Sequence, residues 1–170
     1  MEWRWRVGGF VLLMAAALLT YSELHAGSKP TDATGGQPIK FNHASHVLKA
    51  GMQCQYCHMY ADRSTVAGLP TVQKCMGCHK YVKPESPEIQ KLAQYWEHRQ
   101  PIVWRKVHDL PDFVYFNHSR HIKRGVQCEQ CHGNVGEMTV AVKQAPLTMG
   151  WCVTCHRRNR APLDCWTCHK

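Results

Sequence analysis

Five copies of Cys-x-x-Cys-His punctuate the chain, formed by Cys54, Cys57 and His58; Cys75, Cys78 and His79; Cys128, Cys131 and His132; Cys152, Cys155 and His156; and Cys165, Cys168 and His169. This spacing suits one chemistry well. Two sulfurs three residues apart add to the two vinyl groups of a porphyrin as thioethers, and the histidine that follows reaches beneath the ring as proximal iron ligand. All ten cysteines of the chain are used in this way. The motifs therefore imply five covalently bound haem c groups, with His58, His79, His132, His156 and His169 as proximal ligands.

Each iron has a second axial position. Phe41-Asn42-His43-Ala44-Ser45-His46 and Phe116-Asn117-His118-Ser119-Arg120-His121 repeat the pattern Phe-x-His-x-x-His ahead of a haem motif. In a helical turn, histidines three apart share a face. They cannot bind opposite sides of one iron, but each can reach a different one. A single helical histidine is more often a surface or packing residue, and the repetition ahead of two haem motifs shifts His43, His46, His118 and His121 to distal ligands. That makes four distal histidines for five irons. Candidates for the fifth position are Met138, Met149 and His108, with Met52, Met59 and Met76 behind them, or an open site. A thioether ligand would raise that haem's potential, although methionines most often fill core gaps. His25 and His98 are expected to be structural.

The elements that must position these residues are few. Met1 to Arg6 carries two arginines ahead of an apolar run from Val7 to Leu19. Trp3 to Tyr21 would make about 28 Å of helix, close to the ~30 Å hydrocarbon core of a bilayer. Leu24-His25-Ala26 is a poor cleavage site, so residues 1–26 are expected to be an uncleaved anchor with the N-terminus cytoplasmic. Residues 27–38 have the composition of a linker, and residues 39–170 form the haem domain. Within that domain, 41–79 and 116–156 read as a duplicated two-haem module, with the fifth haem at 165–169. Between the modules, Ser86 to Gln100 predicts a helix with Ser86 as N-cap, Pro87 at its first position and Ile89, Leu92, Tyr95 and Trp96 on one face. Ile102 to Val107 reads as extended and His108 to Asp112 as a turn. So short a chain cannot wrap each haem in its own core. The expected fold is therefore a few short helices and mostly loops around packed haems, plus one N-terminal transmembrane helix.

The formal charge of +9 on 170 residues describes the polypeptide alone. Ten propionates and five ferric cores would bring it to roughly +4 oxidised and about −1 reduced. Lys123, Arg124, Lys143, Arg157, Arg158 and Arg160 are thus read first as propionate partners, the alternative being a solvated face. Nucleic-acid binding is not supported. A zinc-ribbon reading fits two of the Cys-x-x-Cys spacings, but it leaves the fifth pair unpartnered. It also leaves the histidine after all five pairs to chance, about one in a million. A small multihaem reductase of oxyanions would need an iron with an open position beside acid or base groups and a deep pocket, which a chain of this length is not expected to build.

The Phe-x-His-x-x-His pairs followed by Cys-x-x-Cys-His resemble the cytochrome c3/c7 superfamily, in which both histidines of the pair are distal ligands to different haems. Trp104 to His118, Gly125-Val126-Gln127-Cys128, Cys131-His132-Gly133 and Met149-Gly150-Trp151-Cys152 are more specific. They resemble the multihaem cytochrome subunit of alternative complex III, and are similar to the cytochrome of the related quinone reductase complex. Five motifs match the former, whereas the latter's cytochrome typically carries six. The resemblance implies an electron-transfer subunit, not itself catalytic, on the extracytoplasmic side of the inner (cytoplasmic) membrane of a respiratory or photosynthetic chain. Its implied partners are an iron–sulfur subunit of molybdopterin-enzyme-like fold, quinol-binding membrane subunits, and a monohaem cytochrome c or oxidase as acceptor. A free-standing periplasmic cytochrome is the alternative.

Overall fold

The computed structural model describes residues 36–170. The expected anchor at 1–26, and residues 27–35 of the expected linker, lie outside that range. Seven short α-helices follow one another: α1 (Cys54–Cys57), α2 (Val72–His79), α3 (Pro87–Glu97), α4 (His118–Lys123), α5 (Glu129–His132), α6 (Met149–Arg158) and α7 (Cys165–Cys168). A π-helical turn, Ser45–Lys49, precedes α1, and a 3-10 turn, Val135–Glu137, follows α5. No strand occurs among the described residues, and no helix there is long and apolar enough to cross a membrane.

Every haem motif is built on or beside one of these helices, since a helical turn places residues i and i+3 on the same side and so aims two sulfurs together. Caps decide where the turns begin. The side-chain oxygens of Thr71, Asn117, Thr148 and Asp164 accept from the backbone N–H of Lys74, Arg120, Trp151 and Thr167, respectively. Each satisfies one of the donors that a helix start leaves open.

The connector helix follows its sequence signals at one end and not at the other. Ser86 is the N-cap and Pro87 the first helical residue, but the helix stops at Glu97 and not at Gln100. Arg99 turns into the left-handed region with φ 54°. The N–H of Gln100 then closes back on the Tyr95 carbonyl at 2.9 Å. This is the closure that a glycine usually provides at a helix C-terminus. No glycine stands there, and Pro101 bounds the helix without fixing its last residue.

The protein core is small: Ile39, Met76 and Leu92 are buried, with Val72, Ile89, Tyr95, Ile102 and Trp104 packed against them. It joins α2 to α3. Burial of Leu92, 5% exposed, contributes about 2 kcal/mol. The same core includes Met76, 6% exposed. Gln37, at the end of the expected linker, pairs with the backbone of Arg105 in both directions, at 3.0 Å and 2.9 Å. That ties residue 37 to the segment after α3.

Candidate functional site

The two Phe-x-His-x-x-His segments build the same constellation. Phe41 stacks on His46 with ring centres 4.5 Å apart and meets His43 edge-on at 4.8 Å. Phe116 stacks on His121 at 4.5 Å and meets His118 edge-on at 4.7 Å. The Asn42 carboxamide oxygen accepts from the Ser45 N–H at 3.0 Å, and that of Asn117 from the Arg120 N–H at 3.2 Å. Their main-chain carbonyls accept from Nδ1 of His46 and His121, both at 2.8 Å. Asparagine stands between phenylalanine and histidine in both segments, and this repetition is the sequence signal for a role that the ligand pattern alone missed.

Carbonyl oxygens orient most of the candidate ligands. Nδ1–H of His58 donates to Gly68 (2.7 Å), of His79 to Val82 (3.0 Å), of His156 to Pro162 (2.7 Å), of His169 to Phe113 (3.1 Å) and of His118 to Thr65 (2.8 Å). A carbonyl only accepts, so Nδ1 must carry the proton and the neutral ring keeps its lone pair on Nε2. An imidazole held this way is ready to bind metal. His98 makes the same local bond to Gln94 at 2.7 Å, so the bond alone does not mark a ligand.

The spacing between rings adds the second criterion. Two imidazoles on opposite faces of one metal ion, with metal–nitrogen bonds of about 2 Å, bring their centres to roughly 6 Å. His46 and His79 stand 6.0 Å apart, His121 and His156 6.0 Å, and His118 and His132 6.4 Å. Each pair joins a histidine of a Phe-x-His-x-x-His segment to a histidine of a Cys-x-x-Cys-His motif. The residues therefore fit haem iron on donor type, tautomer and separation.

Two candidates are held differently. Nδ1 of His43 is buried without a hydrogen-bond partner, and burial, then the neighbouring charges of His58 and His46, lower its pKa. His132 is pushed down to about 4 by burial, then by His108, His118 and His58. Both effects favour the neutral, metal-binding form. His108 packs edge-on against His132 at 4.3 Å, with Nε2 buried and unpartnered. It thus lies beside the third motif.

The structure also separates the methionine candidates. The Met138 carbonyl accepts from the Ala44 N–H at 3.2 Å, which places Met138 next to His43. Met149 is the first residue of α6, 69% exposed, one turn ahead of Cys152.

The rival chemistries find less support in the geometry. None of the ten cysteines is disulfide-bonded, and no group of three or more His, Cys, Asp or Glu side chains gathers to hold a metal ion among the described residues. The paired zinc ribbons are thus not assembled. An open cleft of about 930 Å3 lies between Leu69–Gln73 and Tyr95–Trp104, and no haem-motif residue lines it. The three ion pairs among the described residues are Arg63–Asp62, Lys91–Glu88 and Lys106–Asp109. None engages Lys123, Arg124, Lys143, Arg157, Arg158 or Arg160.

One position tests the carbonyl cradle directly. Gly68 has φ +74°, and a Cβ there would meet Tyr60 Cδ2 at 2.7 Å. Gly68→Ala is expected to cost about 1–2 kcal/mol from the left-handed backbone alone, measured by denaturant unfolding. It is also expected to disturb the His58 spectrum by moving the carbonyl that aims it.

Repeated Cys-x-x-Cys-His motifs on helical turns, with carbonyl-aimed imidazoles facing them in pairs, define a multihaem c-type cytochrome. Comparison with known families agrees. A model described as Class III cytochrome C family matches residues 22–109, just over half of the chain, and the chain belongs to that family. A second model, Cytochrome c7 and related cytochrome c, matches residues 114–170. Covalent haem c and an electron-transfer role follow from this membership. The chain is also similar to the menaquinone reductase, multiheme cytochrome c subunit, of Nitratidesulfovibrio vulgaris (strain Hildenborough), 38% identical over 97 residues. That stretch is 56% of this chain and 45% of the relative, so the chain spans about half the length of the curated relative it matches.

Proposed function

We propose that this chain is a pentahaem electron-transfer subunit of a quinol-oxidising membrane complex. The observation that carries the electron-transfer part is the set of three imidazole pairs 6.0 to 6.4 Å apart. Haem iron, when bound, supplies reversible one-electron chemistry. The chain's own residues would hold it: His46 with His79, His118 with His132, His121 with His156, and His43 with His58. His169 would take Met149, 69% exposed at the start of the helix that carries Cys152, as its second ligand. Met149 is also not taken up by protein packing. Histidines fixed from both sides keep the same ligand geometry in either oxidation state, so little reorganisation accompanies electron transfer. Arg157, Arg158 and Arg160 follow the fourth motif and serve as propionate partners.

The complex reading rests on the likeness to a menaquinone reductase subunit and on the resemblance to the alternative complex III cytochrome. In it, residues 1–26 anchor the chain in the cytoplasmic membrane, with the haem domain outside. An iron–sulfur subunit and quinone-binding membrane subunits are its neighbours, and a monohaem cytochrome or an oxidase is the acceptor.

Co-purification in mild detergent tests the partners. Retention of iron–sulfur and integral membrane subunits is the expected result. A chain that runs alone and exchanges electrons with soluble carriers would be a free-standing cytochrome instead. A pyridine haemochrome assay tests the cofactor and is expected to return five haems per chain; zinc in their place would overturn the haem reading.

A further inference from the structure

The numbering of the motifs along the chain suggests a file in which the first two-haem module ends at Cys75–His79 and hands over to the second at Cys128. The contacts between the modules run elsewhere. Nδ1–H and the backbone N–H of His118 both reach the Thr65 carbonyl, at 2.8 Å and 3.1 Å, and the Ser119 N–H reaches the Ser64 carbonyl at 3.0 Å. Residues 64 and 65 belong to the loop after the first motif, so the start of α4 is seated on the first site and not on the second. The sulfurs agree: burial, then nearby Cys54 of the first motif, raises the pKa of Cys128 of the third. His132 and His58 are also near enough to interact electrostatically.

The remaining neighbours follow the same way. His43 and His46 share one turn and face His58 and His79, and Cys75 lies beside Cys57. That joins the second site to the first. His118 and His121 share α4 and face His132 and His156, and Cys131 lies beside Cys152 and Cys155. That joins the third to the fourth. Cys168 is near enough to Cys152 to interact electrostatically, and the Cys168 carbonyl accepts from the Tyr115 N–H at 2.7 Å, one residue before the Phe116 that stacks on His121, the ring facing His156, so the fifth closes on the fourth.

We infer that the five attachment sites form a single file in the order Cys75–His79, Cys54–His58, Cys128–His132, Cys152–His156 and Cys165–His169, out of sequence order, with the first motif as the joint between the two modules. The inference rests on the haem reading proposed above. Its functional content is that the second and fifth sites are the ends of the file. Donor and acceptor therefore meet the protein at α2 and at α7, and the first site, although nearest the anchor in sequence, is interior.

The test uses the intact holoprotein in its fully reduced, diamagnetic state. Thioether protons bonded at neighbouring sulfurs are close in space, so proton–proton NOE spectra should show cross peaks between the substituents at Cys54 and those at Cys128. Cross peaks from the third site to the second, without any to the first, overturn the order, and so does the absence of first-to-third cross peaks. A second readout is haem-resolved redox titration of His43→Met, which raises the first site's potential. It should shift the midpoints of both the second and the third sites. A third site that moves with His46→Met but not with His43→Met overturns the order. Fewer than five haems in the starting material would instead point to failure of the cofactor reading, so the two failures are distinguishable.

Discussion

Replacing His121 by alanine is expected to convert one haem from low spin to high spin, about a fifth of the low-spin signal in a chain with five attachment motifs. The ring is fixed on three sides. Phe116 stacks against it at 4.5 Å, the Asn117 carbonyl takes its Nδ1 proton at 2.8 Å, and its partner His156 lies across a 6.0 Å gap. Alanine removes the nitrogen and supplies no substitute, so one axial position of the His156 iron opens while His156 keeps its own carbonyl partner. Electron transfer through the chain should slow, because a site that gains and loses an axial ligand reorganises on each cycle. Low-temperature EPR reads the spin state, and stopped-flow reduction reads the rate. His118→Ala should do the same to the His132 site. If both variants give unchanged spectra, neither histidine is a ligand.

Changing Met149 to histidine should lower the highest midpoint potential in the protein by on the order of 0.1 V, a fraction of the ~0.8 V range that axial ligands span. A thioether favours ferrous iron relative to imidazole, so a methionine-ligated site would be the high-potential one. Met149→Ala should open that site and yield a high-spin signal assigned to His169. Met138→Ala is the control, since Met138 sits against Ala44 and His43 and should leave the fifth site untouched. A potentiometric titration identical in Met149→His and the unaltered protein would exclude Met149 as a ligand.

The chemistry was legible where it was local in sequence. Cys-x-x-Cys-His and Phe-x-His-x-x-His write their candidate ligands within a turn or two, so spacing and repetition point to them, and the Ser86–Pro87 start of the connector helix carried a standard signal. Features set by distant partners could not be read. His118 takes its carbonyl from Thr65, 53 residues away. The connector ends at Glu97 because Arg99, not a glycine, adopts the left-handed turn. Met76, Met138 and Met149 look alike in the chain, and only their placement separates core filling from a candidate ligand. Asn42 and Asn117 were overlooked for a different reason: attention to ligating types passes over the residue that caps and aims them.

The source of each imidazole's carbonyl partner bears on whether the two copies can be separated. His46 and His121 obtain theirs inside their own copy, from Asn42 and Asn117, whereas His118 obtains its partner from Thr65 in the other. The two segments are therefore not interchangeable: the C-terminal one expressed alone would leave His118 without the carbonyl that aims it. Separating the chain between them would take away that acceptor, so a fragment beginning after Thr65 would have to aim His118 by some other group before the His132 site could form.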